Sequence, residues 1–190
     1  MANYNNPYVA PKIPRAGNAF TRAFGGTILR LLGWSLSGQF ANEPKAFLIA
    51  APHKSILDFF LAMSAMLKVG FRFSWMMKKE AFFFPFKGLL NKLGGVPIDR
   101  SKSNDLIAQT TQWFNARDAA WLGLTPEGTR SHVEQFKRGY LRIAYAAKVP
   151  VFLVAVDWAN KQVVLDRLWP LTGDIERDNA DIQAYYETTY

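Results

Sequence analysis

The sequence predicts an α/β domain in which strands alternate with helices and assemble into a mostly parallel central sheet flanked by helices. Three observations predict it. The runs 46–51 (AFLIAA) and 150–156 (PVFLVAV) have the unbroken hydrophobicity of strands buried on both faces. Segments of helical length, with apolar residues at helical spacing, separate the strand-like runs. A chain of 190 residues, 49% of them hydrophobic, suits one domain with a full core.

The elements follow in order. Residues 1–15 carry Pro7, Pro11 and Pro14, which block regular structure, and read as a flexible N-terminal arm ahead of a single domain over 16–190. Over 18–40, Phe20, Phe24, Ile28, Leu31, Leu32 and Trp34 recur near helical spacing. Residues 46–51 form a buried strand stopped by Pro52, and 55–68 form a helix. A weak alternation predicts a strand over 71–77, and 82–93 holds an apolar loop and a short helix. A short strand over 96–99 precedes a helix over 104–117 and a strand over 120–125. A helix over 136–148, the strand 150–156 and an edge strand over 163–165 come next. The chain closes on a helix over 174–186 whose acidic first turn suits the helix dipole. There is no internal repeat, low-complexity segment or linker.

Composition narrows the function. The absence of cysteine excludes disulfide frameworks, thiolate zinc sites and a cysteine nucleophile. Two histidines, His53 and His132, are too few for a His-rich metal centre, so no metal is expected. The net charge of +8 attracts polyanions, whether nucleic acid, anionic lipid or phosphorylated substrates. No nucleic-acid-binding signature is present and the basic residues are dispersed, so nucleic acid is not an expected partner. The polar start of the chain lacks the form of a signal peptide. The best spanning candidate, 56–67, is too short and carries Asp58. A cytoplasmic location is expected.

Two segments carry candidate chemistry. His53 and Asp58 are five apart and would point about 140° away from each other on one continuous helix. With His53 in the loop after Pro52 and Ser55 capping the helix, Asp58 in the first turn reaches back to it. A neutral imidazole can then take a proton from an attacking alcohol, while the carboxylate fixes the tautomer and stabilises the imidazolium. Ser55-x-x-Asp58 is equally a capping-box pattern, in which Asp58 serves its own helix. The second segment, Pro126-Glu127-Gly128-Thr129-Arg130-Ser131, is a tight turn after a strand. Arg130 can grip a phosphate with two hydrogen bonds, with Thr129 or Ser131 adding donors, or the segment is a solvated turn.

Other segments admit a functional and a structural reading. Phe82-Phe83-Phe84-Pro85-Phe86, flanked by Lys78, Lys79 and Lys87, reads as a membrane-facing or acyl-chain-binding loop, or as core. The 18–40 segment either lies on a membrane or covers the sheet. Gly33-Trp34-Ser35-Leu36-Ser37 lacks the final glycine of a nucleophile elbow and precedes the first expected strand, which excludes a serine hydrolase. His132 has no evident partner and reads as a surface histidine.

Together these segments resemble the glycerophospholipid (lysophosphatidate-type) acyltransferase family. His-x4-Asp resembles its first block. Lys78-Lys79-Glu80, Pro85-Phe86 and Leu93-Gly94-Gly95-Val96-Pro97-Ile98-Asp99-Arg100-Ser101 resemble its second. Pro-Glu-Gly-Thr-Arg-Ser resembles its third, and 136–139 with 149–156 resemble the region through its fourth. The ordered match covers roughly 46–156. The resemblance implies transfer of a fatty acyl group from acyl-CoA or acyl carrier protein to a hydroxyl of a lysophospholipid, foremost 1-acylglycerol-3-phosphate. No cofactor is implied. It makes His53 the general base and Asp58 its orienting carboxylate. It places the acceptor on Arg100, Glu127, Gly128, Thr129 and Arg130, with Lys79 near anionic groups and Glu127 holding an arginine or a glycerol hydroxyl. Peripheral association with an anionic membrane surface follows from such an acceptor. Departures are Pro52 where many members have Asn, Thr125 where many have an aromatic, and no N-terminal membrane helices. They leave the acceptor open, a lyso-ornithine-type lipid among the alternatives. Two less favoured alternatives stand apart from the departures: a non-catalytic lipid-binding relative, against which the intact His53/Asp58 pair argues, and a nucleic-acid-binding module, for which only charge and aromatic content speak.

Overall fold

The computed structural model describes residues 6–98, 103–129 and 133–190. Its elements run α1 (Ala19–Leu31), β1 (Ser35–Gly38), β2 (Lys45–Ala51), α2 (Leu57–Val69) and β3 (Ser74–Lys78). A 3-10 turn (Lys79–Ala81) leads to α3 (Phe86–Leu93), β4 (Gly95–Ile98), α4 (Ser103–Asn115) and β5 (Ala120–Leu124). Then come α5 (Gly139–Ala147), β6 (Val151–Asp157), β7 (Gln162–Trp169) and α6 (Ile175–Thr189).

The strands form one sheet in the order β1-β7-β6-β2-β5-β3-β4. From β6 through β4 neighbouring strands are parallel. β7 runs antiparallel to β6, and β1 is parallel to β7. This is the mostly parallel, helix-flanked sheet that the alternation of elements predicts.

The two hydrophobic runs lie side by side as β2 and β6, and their period-two side chains feed two cores. Ala46, Leu48, Phe152, Val154 and Val156 enter the core that also holds Leu29 of α1, Leu61 of α2 and Trp121. Phe47, Ile49, Ala51, Val151, Leu153 and Ala155 enter the other, with Phe114 of α4, Tyr140 of α5 and Tyr186 of α6. A strand packed on both faces must be apolar at every position, which explains why neither run alternates in sequence.

Helix α1 begins in a capping box between Asn18 and Thr21 and lies closely against α2. Gly25 makes that approach possible, because a Cβ there would sit 2.5 Å from the Ser64 carbonyl oxygen.

Three expectations are corrected. The arm is packed from Asn6 onward: Val9 and Ile13 are buried, and the Asn6 side chain donates to the Val69 carbonyl. Backbone hydrogen bonds hold it as well, from the Phe40 N–H to the Tyr8 carbonyl and from the Arg72 N–H to the Pro14 carbonyl, each at 2.9 Å. The 18–40 segment is not helical throughout, since it turns at Gly33 and ends in β1. β1 is short and polar apart from buried Leu36, so it left no hydrophobic pattern. It covers the outer side of β7, which runs the full Gln162–Trp169 and is not the edge.

Candidate active site

The site forms at the carboxyl ends of the parallel strands, where sheets of this kind place ligands. β2 ends at Ala51 and the chain turns through Pro52 into the loop that carries His53. α2 begins four residues later, with Asp58 in its first turn. The Ser55 hydroxyl accepts the Leu57 N–H at 3.1 Å, fixing the helix start.

Asp58 is buried and every side of its carboxylate is engaged. Oδ2 accepts the backbone N–H of Lys54 at 2.7 Å and that of Ser55 at 2.8 Å, and lies 3.0 Å from His53 Nδ1. Oδ1 accepts the Trp158 indole N–H at 3.1 Å. The two readings of Ser55-x-x-Asp58 are therefore one arrangement: the carboxylate that ties down the helix start also meets the histidine. With a carboxylate as acceptor, Nδ1 carries the ring proton and Nε2 is left as the basic nitrogen.

Glu127 follows β5 on the adjacent strand. Its Oε1 accepts the His53 backbone N–H at 2.8 Å, so it locks the histidine loop to the loop after β5. Its Oε2 is buried without a hydrogen-bond partner among the described residues. Burial pushes this carboxyl above the ordinary value of 4.5, against the opposite pull of the His53 N–H. Oε1 thus holds neither of the groups the resemblance suggested for it.

Gly128 has φ +65°, which glycine adopts without strain, and the Lys137 side chain crosses the place where a Cβ would sit. Thr129 is exposed beside it. Lys79 opens the turn after β3, two strands from β2 and so about 10 Å across the sheet. Arg100 and Arg130, like His132 and Ser131, lie outside the described residues.

A cavity of about 460 Å³ opens on His53 and Glu127. Lys54, Val133, Phe136, Tyr186, Glu187 and Tyr190 are among its other walls. Buried Tyr186 anchors α6 there, with its hydroxyl 3.0 Å from the Val154 carbonyl and 3.2 Å from that of Ile49. A larger cleft, about 920 Å³, lies among Arg15, Arg72, Lys92 and Arg117 near the opposite ends of β3, β4 and β5. Size does not decide between them: of the two, only the smaller is lined by a histidine paired with a carboxylate.

Trp158, Lys137 and the α6 wall were not read from the sequence. Trp158 stands one residue beyond β6 and one hundred positions from Asp58, so no local spacing could announce the contact.

The aromatic loop is at the surface: Phe84 is 92% exposed, and Phe83 and Phe86 are exposed too. On α1, Leu29 faces the core while Phe20, Phe24 and Leu31 face outward, so the helix covers the sheet and also presents rings. No helix among the described residues is long and apolar enough to cross a membrane.

A family model described as Acyltransferase matches residues 37–157, an interval from β1 through β6 that contains both candidate segments. No match is found among curated proteins. Among solved structures, the crystal structure of the 1-acyl-sn-glycerophosphate (LPA) acyltransferase PlsC from Thermotoga maritima is similar, with a TM-score of 0.57 at 18% identity over 90% of this chain and 78% of that one. At that identity the likeness is one of fold. The family match spans well over half of the sequence, and the chain belongs to the acyltransferase family.

Proposed function

We propose that the protein moves a fatty acyl group from a thioester, acyl-CoA or acyl carrier protein, to a hydroxyl of a lysophospholipid, foremost 1-acylglycerol-3-phosphate. His53 Nε2 takes the hydroxyl proton as the acceptor oxygen attacks the thioester carbonyl. The tetrahedral intermediate collapses, the C–S bond breaks, and the imidazolium returns its proton to the departing thiolate. Asp58 keeps Nδ1 protonated and balances the imidazolium charge. No acyl-enzyme and no metal enters the cycle.

The observation that carries this reading is the 3.0 Å contact between His53 Nδ1 and a fully engaged Asp58, beside a cavity that His53 lines. Lys54 at the cavity and Lys137 over Gly128 supply positive charge for an anionic acceptor. Arg100 and Arg130 bind the phosphate in this reading, as the family resemblance implies. Exposed Phe83, Phe84, Phe20 and Phe24 support peripheral contact with an anionic membrane surface, where such acceptors reside.

The test is a labelled-donor assay against a panel of lyso-lipids, with products resolved by chromatography. His53→Ala lowers the rate by about 10²–10⁴-fold while circular dichroism stays unchanged. Arg130→Lys raises the acceptor KM and leaves the donor KM alone, because lysine lacks the two-pronged guanidinium. A folded His53→Ala protein at wild-type rate removes the mechanism.

A second acceptor class has an observation in its favour. Glu127 and Glu187 both line the cavity, and two carboxylates suit an ammonium-bearing head such as that of a lyso-ornithine-type lipid. The same panel separates the two classes.

A further inference from the structure

We propose that Trp158 is a positioning residue for acyl transfer: its indole N–H pins Oδ1 of Asp58 so that Oδ2 stays aimed at His53. The inference rests on the general-base reading of His53.

The geometry is asymmetric. Oδ2 has three donors, from His53, Lys54 and Ser55. Oδ1 has one among the described residues, Trp158 Nε1 at 3.1 Å. The three donors all pull on one oxygen from the His53 loop side, and the two side-chain torsions of Asp58 move both oxygens together. The indole N–H holds the other oxygen from the β6 side, so both torsions are restrained from two directions. An indole N–H only donates, so Trp158 takes no proton itself and acts through Asp58 alone.

Trp158 is built to hold its place. Its ring meets Trp34 edge-on, with centroids 5.1 Å apart and planes at 89°. The turn that presents it is closed by Asp157, whose carboxylate accepts the Asn160 backbone N–H at 3.0 Å and its side-chain amide at 2.7 Å. The same chain shows what a purely structural indole does: Trp121 donates to a backbone carbonyl, that of Glu43, at 2.9 Å. Trp158 instead directs its donor across one hundred positions of sequence onto the carboxylate that faces the base. When His53 takes the acceptor proton, the counter-charge must already point at Nδ1, and a donor fixed in advance spares the reorganisation.

The experiment is a double-mutant cycle read in kcat with the labelled-donor assay. Trp158→Phe keeps an aromatic ring against Trp34 and deletes the N–H. Its kcat falls about tenfold, the scale of one hydrogen bond to a charged group, with both KM values unchanged. In an Asp58→Ala background the same change lowers kcat less than about twofold, since the carboxylate it acts on is gone. Trp34→Phe, which trims the same ring contact, keeps kcat near wild type. Should Trp158→Phe fold poorly by circular dichroism, benzothienylalanine at position 158 replaces only the N–H by sulfur and carries the same expectation.

An equal loss in both backgrounds, or a loss appearing in KM, overturns the inference in favour of a packing role. An unchanged kcat in Trp158→Phe beside a crippled Asp58→Ala overturns it and leaves the general-base reading standing. Full activity in Asp58→Ala overturns the reading itself, and the inference with it.

Discussion

Two buried carboxylates flank the His53 loop, one on each side, and they are provided for in opposite ways. Asp58 receives four donors shared between its two oxygens. Glu127 receives one backbone N–H on Oε1, and its Oε2 has no partner among the described residues. A buried charge is stable only when its lone pairs are satisfied. Both oxygens of Asp58 are thus met by donors. Glu127 is held above the ordinary carboxylate value by its own burial. The first suits a group that must already be charged when a proton moves. The second suits a group that waits for a donor brought by something else, and under the proposed function the hydroxyl or amine of an acceptor in the adjoining cavity would be such a donor.

The comparison is most directly broken at Asp58. Asp58→Asn retains shape but puts an amide N–H against a set of donors, whichever way the amide turns. The expected outcome is a kcat lower by about 10²–10⁴-fold and a stability loss of about 1–3 kcal/mol, measured by initial rates and denaturant unfolding. A fully active variant with unchanged stability means the four donors do not depend on charge.

Glu127→Gln probes the other side. The amide oxygen still accepts the His53 N–H, so the loop stays in place, but the second position becomes a donor. If Oε2 accepts from the bound acceptor lipid, the acceptor KM rises about tenfold with the donor KM unchanged. Stability carries a second sign. A carboxyl whose folded value is raised contributes stability that is fully present below 4.5 and lost as pH rises through the folded value. Glutamine has no such dependence. The difference in Tm, variant minus wild type, therefore grows from acid toward neutral pH, and a pH-independent difference shows that Glu127 is not raised in the fold.

The two carboxylates were not equally legible. His53 and Asp58 straddle a strand-to-helix junction marked by Pro52 and Ser55, so local spacing was enough to bring them together. The partners that separate Asp58 from Glu127 are long-range. Glu127 meets His53 across seventy-four positions and Trp158 meets Asp58 across one hundred, and both contacts exist only because β5 and β6 each flank β2. Periodicity records which face a residue lies on, not which loop meets which. The same limit explains β1: with one buried leucine in a polar strand, its place was set by β7 and not by a pattern of its own.

Gly128 tests how far the Glu127 side depends on backbone. Gly128→Ala forces a side chain to φ +65°, at about 1–2 kcal/mol, and pushes on the flexible end of Lys137. The loss should show in Tm and, if the turn relaxes, in a higher acceptor KM. Asp58 is reached from the other loop, so kcat at saturating acceptor changes least.

The contrast between satisfied and unsatisfied groups has an apolar counterpart, and it carries the smallest expected effect on the fold. Phe47 and Phe152 are wholly buried, each within one of the two cores. Phe83 and Phe84 pay no part of that burial, being 57% and 92% exposed just before α3. Replacing a core phenylalanine by a small residue costs about 3–5 kcal/mol. Replacing Phe83 and Phe84 together by serine should change unfolding free energy by less than about 0.5 kcal/mol at each position, as surface changes do. If these rings enter a lipid interface, the double variant instead loses co-sedimentation with anionic vesicles. Wild-type binding then weakens with added salt, because Lys87 beside the rings works through a screened surface potential. Activity on a detergent-dispersed acceptor survives the change, since neither ring lines the cavity at His53. A double variant that pellets with vesicles as wild type does takes the lipid role away from these rings, and one that unfolds gives them a part in stability that their exposure does not predict.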